Sequence, residues 1–361
     1  GAIARCDTAD AEAERPDRRP RSSAHWGCVM PYGITSAPPV TRYDALLDGT
    51  EKGAAGVLEL CQRALELRAG AKPRDLSDKR VAALFLNPSL RTRTSLAAAC
   101  HATGAHLTTV EAGRDSWQLE MTDGAVMNAD KVEHVRDAAQ VLSHYHDLLA
   151  VRAFAKMESL QDDRADQVVR AFAKHSTVPF LSLESAMWHP LQGLADASTW
   201  LAHLGARSNG RTSDTTQTLR GAPITLTWAP HPKALGTAVG HQVVLTAATL
   251  GMDVTIAHPD GFDLDPEVVS RAAHKANSAG GAVKVERDQR KAMQGAKVVV
   301  AKSWGGVSGY GRRDQETAQR AKLDSWIVDQ EKMALTDNAG FMHCLPVRRH
   351  VVVSDWRTRS K

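Results

Sequence analysis

No apolar run in the 361-residue sequence approaches the roughly 20 residues that span a bilayer, which excludes a helical membrane protein. A large excess of either charge is also missing. The formal net charge of +4 is small for this length, and Lys and Arg are scattered among acids, so no polyanion-sized basic face follows and nucleic acid is not an expected partner. The five cysteines, Cys6, Cys28, Cys61, Cys100 and Cys344, are odd in number and contain no CxxC pair. They fit neither a disulfide framework nor a zinc site; a reducing cytoplasm is the expected setting, and no metal is expected. There is no GxGxxG after a strand and no GxxxxGK[ST], so the dinucleotide and P-loop fingerprints are absent and no cofactor is expected. The first thirty-odd residues lack a signal-peptide apolar region and are rich in Arg, Pro, Ser and acids, so residues 1–40 read as a disordered extension. Asp7, Asp10, Glu12 and Glu14 count against a mitochondrial transit peptide, a class poor in acids.

What is present is ordinary soluble-protein composition, 43% hydrophobic and 24% charged, in a chain too long for one core. Two lobes and a cleft are expected. Apolar residues recur at helical spacing from Tyr43 to Ala69, and RVAALFL then reads as a buried strand. Strand and helix candidates alternate after it: AHLTTVE, VEHVRDAAQVLSHY, DLLAVRAF, RADQVVRAFAKH and VPFLSLE. PLQGLADASTWLAHLG is an amphipathic helix that could cross to a second lobe, where the pattern restarts with APITLTWAP, HQVVLTAATLGM, DVTIAHP and KVVVAKSW. ARSNGRTSDTTQTLRG between the two halves is a polar, Gly-containing surface loop. Such alternation predicts α/β architecture: two lobes, each with a mostly parallel sheet flanked by helices, and an active site in the cleft between them.

The segment FLNPSLRTRTS, Phe85 to Ser95, falls between a strand and a helix that closes on Gly104. The first-turn amides of a helix that follows a parallel strand carry partial positive charge and form an anion site. Ser89, Thr92 and Arg91 add donors, and a guanidinium can grip a phosphate with two parallel bonds. Arg91 and Arg93 straddle the helix start, so that at least one can face inward. Three further clusters stand where parallel strands should end, the place where open α/β sheets bind ligands: Arg152-Ala153-Phe154, Trp188-His189-Pro190-Leu191-Gln192 and His343-Cys344-Leu345-Pro346.

With SLRTR, HPLQ and HCLPVRR in this order, the chain from about residue 43 to about 355 resembles the carbamoyltransferase family that includes aspartate and ornithine carbamoyltransferases. DSWQLE, VRAFAK, TWAPHPKAL and AKSWG make it most similar to the branch that acts on N-acylated ornithine. The resemblance implies a carbamoyl phosphate-binding domain over 41–185 and an acylornithine-binding domain over 186–361. It implies that Ser89, Leu90, Arg91 and Thr92 hold the phosphate of carbamoyl phosphate, with Arg152, His189 and Gln192 on its carbamoyl end and Cys344 and Leu345 beside it. Arg91, Arg152, His189 and Cys344 are the implied catalytic residues. Glu184, His231, Lys302 and Arg348, with Leu345, match positions that hold the acylornithine. The family is trimeric with shared sites, and Trp117 matches a residue donated to the neighbouring subunit.

The implied reaction, a step of arginine biosynthesis, needs no metal and no covalent intermediate. The neutral δ-amine of the acceptor attacks the carbamoyl carbon, phosphate leaves, and placement of the two substrates supplies most of the acceleration. Acyl preference turns on Asn128 to His134, where the resemblance implies glutamate at the position of Val132 in the acetyl-specific branch and proline in the succinyl-specific one. A carboxylate there would repel a succinyl group, so Val132 favours N-succinylornithine over N-acetylornithine. The family pattern continues beyond HCLP with a helix that returns an arginine to the phosphate, and DWRTRSK at 355–361 shows no counterpart. Two alternatives therefore stand beside the main reading: a truncated relative that binds ligand or subunits without turnover, and an ornithine carbamoyltransferase.

Overall fold

The computed structural model describes residues 53–207 and 218–354. The expected 1–40 extension, part of the polar loop before Leu219, and DWRTRSK lie outside the described residues. The first lobe contains strands β1 (Arg80–Phe85), β2 (His106–Glu111), β3 (Leu119–Glu120), β4 (Glu133–His134), β5 (Leu148–Arg152) and β6 (Phe180–Glu184). Its helices are α1 (Gly53–Arg68), α2 (Arg91–Thr103), α3 (Val135–Tyr145), α4 (Leu160–Ala165) and α5 (Gln167–His175), and α6 (Pro190–Arg207) leads out of it. The second lobe runs β7 (Pro223–Trp228), α7 (Ala238–Thr249), β8 (Asp253–Ala257), α8 (Pro266–Ala279), β9 (Ala282–Glu286), α9 (Gln289–Met293), β10 (Val298–Lys302), α10 (Arg313–Arg320) and β11 (Gly340–Met342).

The main sheet of each lobe is wholly parallel, in the orders β2-β1-β5-β6 and β11-β10-β7-β8-β9. The strand sequences explain this. Parallel strands are covered on both faces, and β1, β5 and β10 carry apolar runs (VAALF, LAV, VVVA) that are buried throughout. In both sheets the winding reverses beside the first strand of the lobe, between β1 and β5 and between β7 and β10. A crevice opens at such a reversal, outside the carboxyl ends of the two strands. Both lobes therefore offer one crevice each, and the ends that flank them carry Ser89, Arg152, His231 and Lys302.

Helix α7 is buried at every position, so it serves as the shared wall of the second lobe rather than as a surface helix. Helix α6 packs on both α1 and α7 and ties the lobes together. Trp200 on α6 and Trp228 and Trp304 in the second lobe are fully buried. Each removes roughly 200 Å² from water, worth about 5 kcal/mol before entropy is counted. Across the lobe boundary Arg164 donates two bonds to Asp265, at 2.6 and 2.8 Å, and the His189 amide donates to Gln242 Oε1 at 3.1 Å.

Two expectations change. RADQVVRAFAKH forms two helices, because Asp166 adopts φ 50° while its carboxylate accepts from the Ser185 hydroxyl and the Ala186 amide. Those two bonds fix the turn that precedes His189, and they replace what a continuous helix would have gained. VEHVRDAAQVLSHY likewise begins as the short strand β4 before α3 starts.

Candidate active site

Strand β1 ends at Phe85, and the chain then turns through Leu86-Asn87-Pro88 into α2, whose cap position is Leu90. No side chain caps this 13-residue helix, so its first amides remain available to an anion. Neighbouring β5 braces the turn: Arg152 Nη1 donates to Pro88 O at 3.0 Å, and the Phe154 amide donates to Asn87 Oδ1 at 2.7 Å. Arg91 is exposed at the helix start. Arg93 faces the other way and is committed to Glu111 and to Thr109 Oγ1 on β2. Of the two arginines that straddle the helix start, Arg91 is thus the one free to meet a ligand.

Arg152 is anchored from the adjacent strand end. Its Nε and Nη2 donate to Glu184 Oε2 at 3.2 and 2.9 Å, where a register shift lets β5 and β6 splay, and its guanidinium lies 4.3 Å from the Phe154 ring centre. His189 Nε2 stands 3.6 Å from the same carboxylate oxygen. Burial, together with the Arg152 charge, pushes the His189 imidazole down to about 3, so it is neutral at physiological pH and the contact is no ion pair. Burial raises the Glu184 carboxyl, and Arg152 opposes that. One turn into α6, Gln192 Nε2 donates to Asp196 Oδ1 at 2.8 Å.

The second crevice supplies Lys302 at the end of β10, a buried lysine whose ammonium donates to Ser303 O at 2.7 Å. Burial lowers its pKa, while Cys344 and Glu184, from opposite lobes, both act in the other direction. Burial raises the Cys344 thiol. His343 is pushed down to about 4 by burial and by the charges of Lys302, Arg91 and His231, which sets residues of both lobes in one electrostatic neighbourhood. Arg348 Nε donates to His231 Nε2 at 3.0 Å. Since that nitrogen accepts, the proton of a neutral His231 sits on Nδ1, where Lys233 O is 2.8 Å away. Leu345 has φ 55° and is half exposed beside Cys344.

The site residues expected from sequence therefore fall into two groups. Ser89, Leu90, Arg91, Thr92, Arg152, Glu184, His189, Gln192, His231, Lys302, Cys344, Leu345 and Arg348 stand at the strand ends and helix starts that flank the two crevices. Trp117 and Val132 do not. Trp117 lies just before β3 and Val132 on the segment that joins β3 to β4; they are 56% and 68% exposed, and the Trp117 indole donates to Glu133 Oε2 at 2.5 Å. Sequence reasoning passed over Asp196, although its spacing of four from Gln192 on a helix was a usable sign. It also passed over Arg320, whose spacing of four from Glu316 was a similar sign. Arg320 is buried, donates to Glu316 Oε1 at 2.7 Å and to Ser303 Oγ at 3.0 Å, and so supports the strand end that presents Lys302.

Two doubly wound lobes with a crevice each, one with an open helix start and an anchored arginine, the other with a buried lysine, define a two-lobed α/β protein built to bind anionic ligands. Residues 46–202 match the aspartate/ornithine carbamoyltransferase carbamoyl-P binding domain, and residues 235–356 match the Asp/Orn binding domain of the same family. The chain belongs to the aspartate/ornithine carbamoyltransferase family. It is 41% identical over 282 residues to N-acetylornithine carbamoyltransferase of Xanthomonas axonopodis pv. citri (strain 306), covering 78% of this chain and 79% of the relative. It is 34% identical over 278 residues to N-succinylornithine carbamoyltransferase of Bacteroides fragilis (strain 638R), covering 77% and 79%. Among solved structures it is similar to a glutamate-to-valine variant of N-acetyl-L-ornithine transcarbamylase complexed with carbamyl phosphate and N-succinyl-L-norvaline. That match has a TM-score of 0.77 and 39% identity, and covers 83% of this chain and 88% of the other.

Proposed function

We propose that the protein transfers the carbamoyl group of carbamoyl phosphate to the δ-amine of an N-acylated ornithine, giving N-acylcitrulline and phosphate as a step of arginine biosynthesis. The observation that carries this reading is the convergence of the open start of α2, Arg91 and the Glu184-anchored Arg152 at the first crevice. That arrangement suits a phosphate bonded to a carbonyl. The helix amides, Ser89, Thr92 and Arg91 take the phosphate; Arg152 and the neutral His189 donate to the carbonyl oxygen as it gains charge. The second crevice takes the acceptor, with Lys302 and Arg348 as cations for carboxylate and acyl oxygens and His231 holding Arg348 in place. The amine nitrogen bonds to the carbamoyl carbon, the carbon–oxygen bond to phosphate breaks, and the departing phosphate takes the amine proton. The partly buried Cys344 beside the carbamoyl carbon would help to keep water out, while Leu345 next to it is half exposed.

Identity to the relatives supports N-acetylornithine as the preferred acceptor, in contrast to the succinyl preference expected from Val132. The succinyl reading keeps one specific support. A relative's structure with valine in place of a glutamate holds N-succinyl-L-norvaline, and Val132 is uncharged and open. The exposure of Trp117 and its distance in the chain from both crevices support a homotrimer in which this segment completes a neighbour's site. Incubation of the purified protein with carbamoyl phosphate and, separately, N-acetylornithine, N-succinylornithine and ornithine tests the proposal. Acylcitrulline is expected from the first two, fastest from N-acetylornithine; product from unacylated ornithine alone, or none at all, refutes it.

A further inference from the structure

Gln192 and Asp196 lie on the same face of α6, four residues apart, at the end of the helix that points into the first crevice. Asp196 is 6% exposed, and its Oδ1 receives the Gln192 Nε2–H at 2.8 Å. An ionised carboxylate accepts and does not donate, so it can bind only the NH2 end of the glutamine amide. The Gln192 oxygen is then the end of the amide that Asp196 does not hold. A carbamoyl group presents an NH2, two donors, next to its carbonyl. We propose that Asp196 is a positioning residue that locks the Gln192 amide with its oxygen outward, so that the site accepts a hydrogen bond from the carbamoyl NH2 and distinguishes carbamoyl phosphate from bare phosphate. This rests on the carbamoyl phosphate reading above and deepens it.

Protonation would undo the lock, because a neutral carboxyl can donate to the glutamine oxygen and allow the amide to turn over. Burial pushes the Asp196 carboxyl up to about 7, against the Gln192 bond that lowers it. The neighbouring titratable groups are the Cys344 thiol, which interacts with it from the segment after β11, and Cys61 on α1, which bonds Leu194 O and Ser198 on α6. Both thiols are raised by burial, so Asp196 is the member of this group that titrates near neutrality.

The test compares wild-type protein with Asp196→Asn and Asp196→Ala in direct binding of carbamoyl phosphate and of inorganic phosphate by calorimetry at pH 8, together with kcat and KM between pH 5.5 and 9. Asparagine keeps the shape but can hold the amide either way round. About tenfold weaker binding of carbamoyl phosphate is expected for each variant, with phosphate binding within twofold of wild type. The wild-type kcat/KM for carbamoyl phosphate should fall as pH drops through about 7, and that limb should be lost in the asparagine variant. Equal weakening of both anions, or an unchanged acid limb, overturns the proposal, as it would show a packing role only. A wild type that binds carbamoyl phosphate but forms no acylcitrulline refutes the transfer reading, while the two binding constants still decide the role of Asp196. A wild type that binds neither anion refutes both.

Discussion

Arg152 and Glu184, from adjacent strands of one sheet, meet through a single carboxylate oxygen that receives both Nε at 3.2 Å and Nη2 at 2.9 Å. This leaves Nη1 on Pro88 O and fixes the plane of the guanidinium against the turn that enters α2. Glu184→Gln keeps the shape and removes the charge. A charge-assisted bond of about 1.5–3 kcal/mol is weakened, so carbamoyl transfer should fall roughly tenfold to hundredfold. Steady-state kinetics on the variant check this, and unchanged kcat/KM for carbamoyl phosphate would show that the anchor is dispensable.

Arg91 and Arg93 should behave differently despite their shared motif. Arg91→Ala removes the free guanidinium at the helix start and should raise KM for carbamoyl phosphate by about a hundredfold. Arg93 is occupied by Glu111 and Thr109, so Arg93→Ala should alter KM by less than about threefold and lower stability by about 1 kcal/mol. Initial-rate measurements paired with urea melts separate the two.

Val132→Glu places a carboxylate on the open β3–β4 segment. Like-charge repulsion of about 1–3 kcal/mol should cost N-succinylornithine ten- to a hundredfold in kcat/KM and leave N-acetylornithine little changed. Competition between the two acceptors in one assay reads the ratio directly. An unaltered ratio would remove this segment from acyl selection.

Acid should weaken the fold through buried histidines. His241 is held down to about 4 by burial, with its Nε2 accepting from the Asp265 amide at 3.3 Å. The unfolded chain titrates near 6.5, so between about 4 and 6.5 it binds the proton that the native state refuses. Stability is therefore full above about 6.5 and declines as pH falls toward 4, by up to about 3 kcal/mol for this residue. His189 and His343 act in the same direction. Urea midpoints from pH 7.5 down to 5 should decrease, with a shallower slope in His241→Gln.

Arg320→Met should destabilise by about 3–5 kcal/mol, because Glu316 would be left buried without its partner. The double variant Arg320→Met with Glu316→Leu should recover much of that loss, as an apolar pair needs no desolvation. Thermal melts of both decide it. In the double variant the acceptor KM should remain raised, since Ser303 and the end of β10 have lost their brace.

How much could be read beforehand follows from how each element earns its burial. β1, β5 and β10 are covered on both faces, so their apolar runs declare themselves, and the strand ends beyond them mark the crevices. β9 is an edge strand in which Lys284 and Glu286 interrupt Val283 and Val285, and its pattern is mostly exposed. Such a strand lacks the continuous signal. The break at Asp166 depends on Ser185 and Ala186, nineteen and twenty residues on, which no local window contains. The same holds for Arg320, whose partners Ser303 and Trp304 are brought to it by the second sheet. The acyl preference is the least legible part, because Val132 is 68% exposed and packing does not dictate its identity.

Arg152 and Lys302 sit on strand ends held by backbone ladders, where a shift at one residue disturbs a whole lobe. Trp117 and Val132 hang on a two-residue pairing between β3 and β4, outside the main sheets. A substitution there disturbs one short pairing and leaves intact the ladders that carry Arg152 and Lys302.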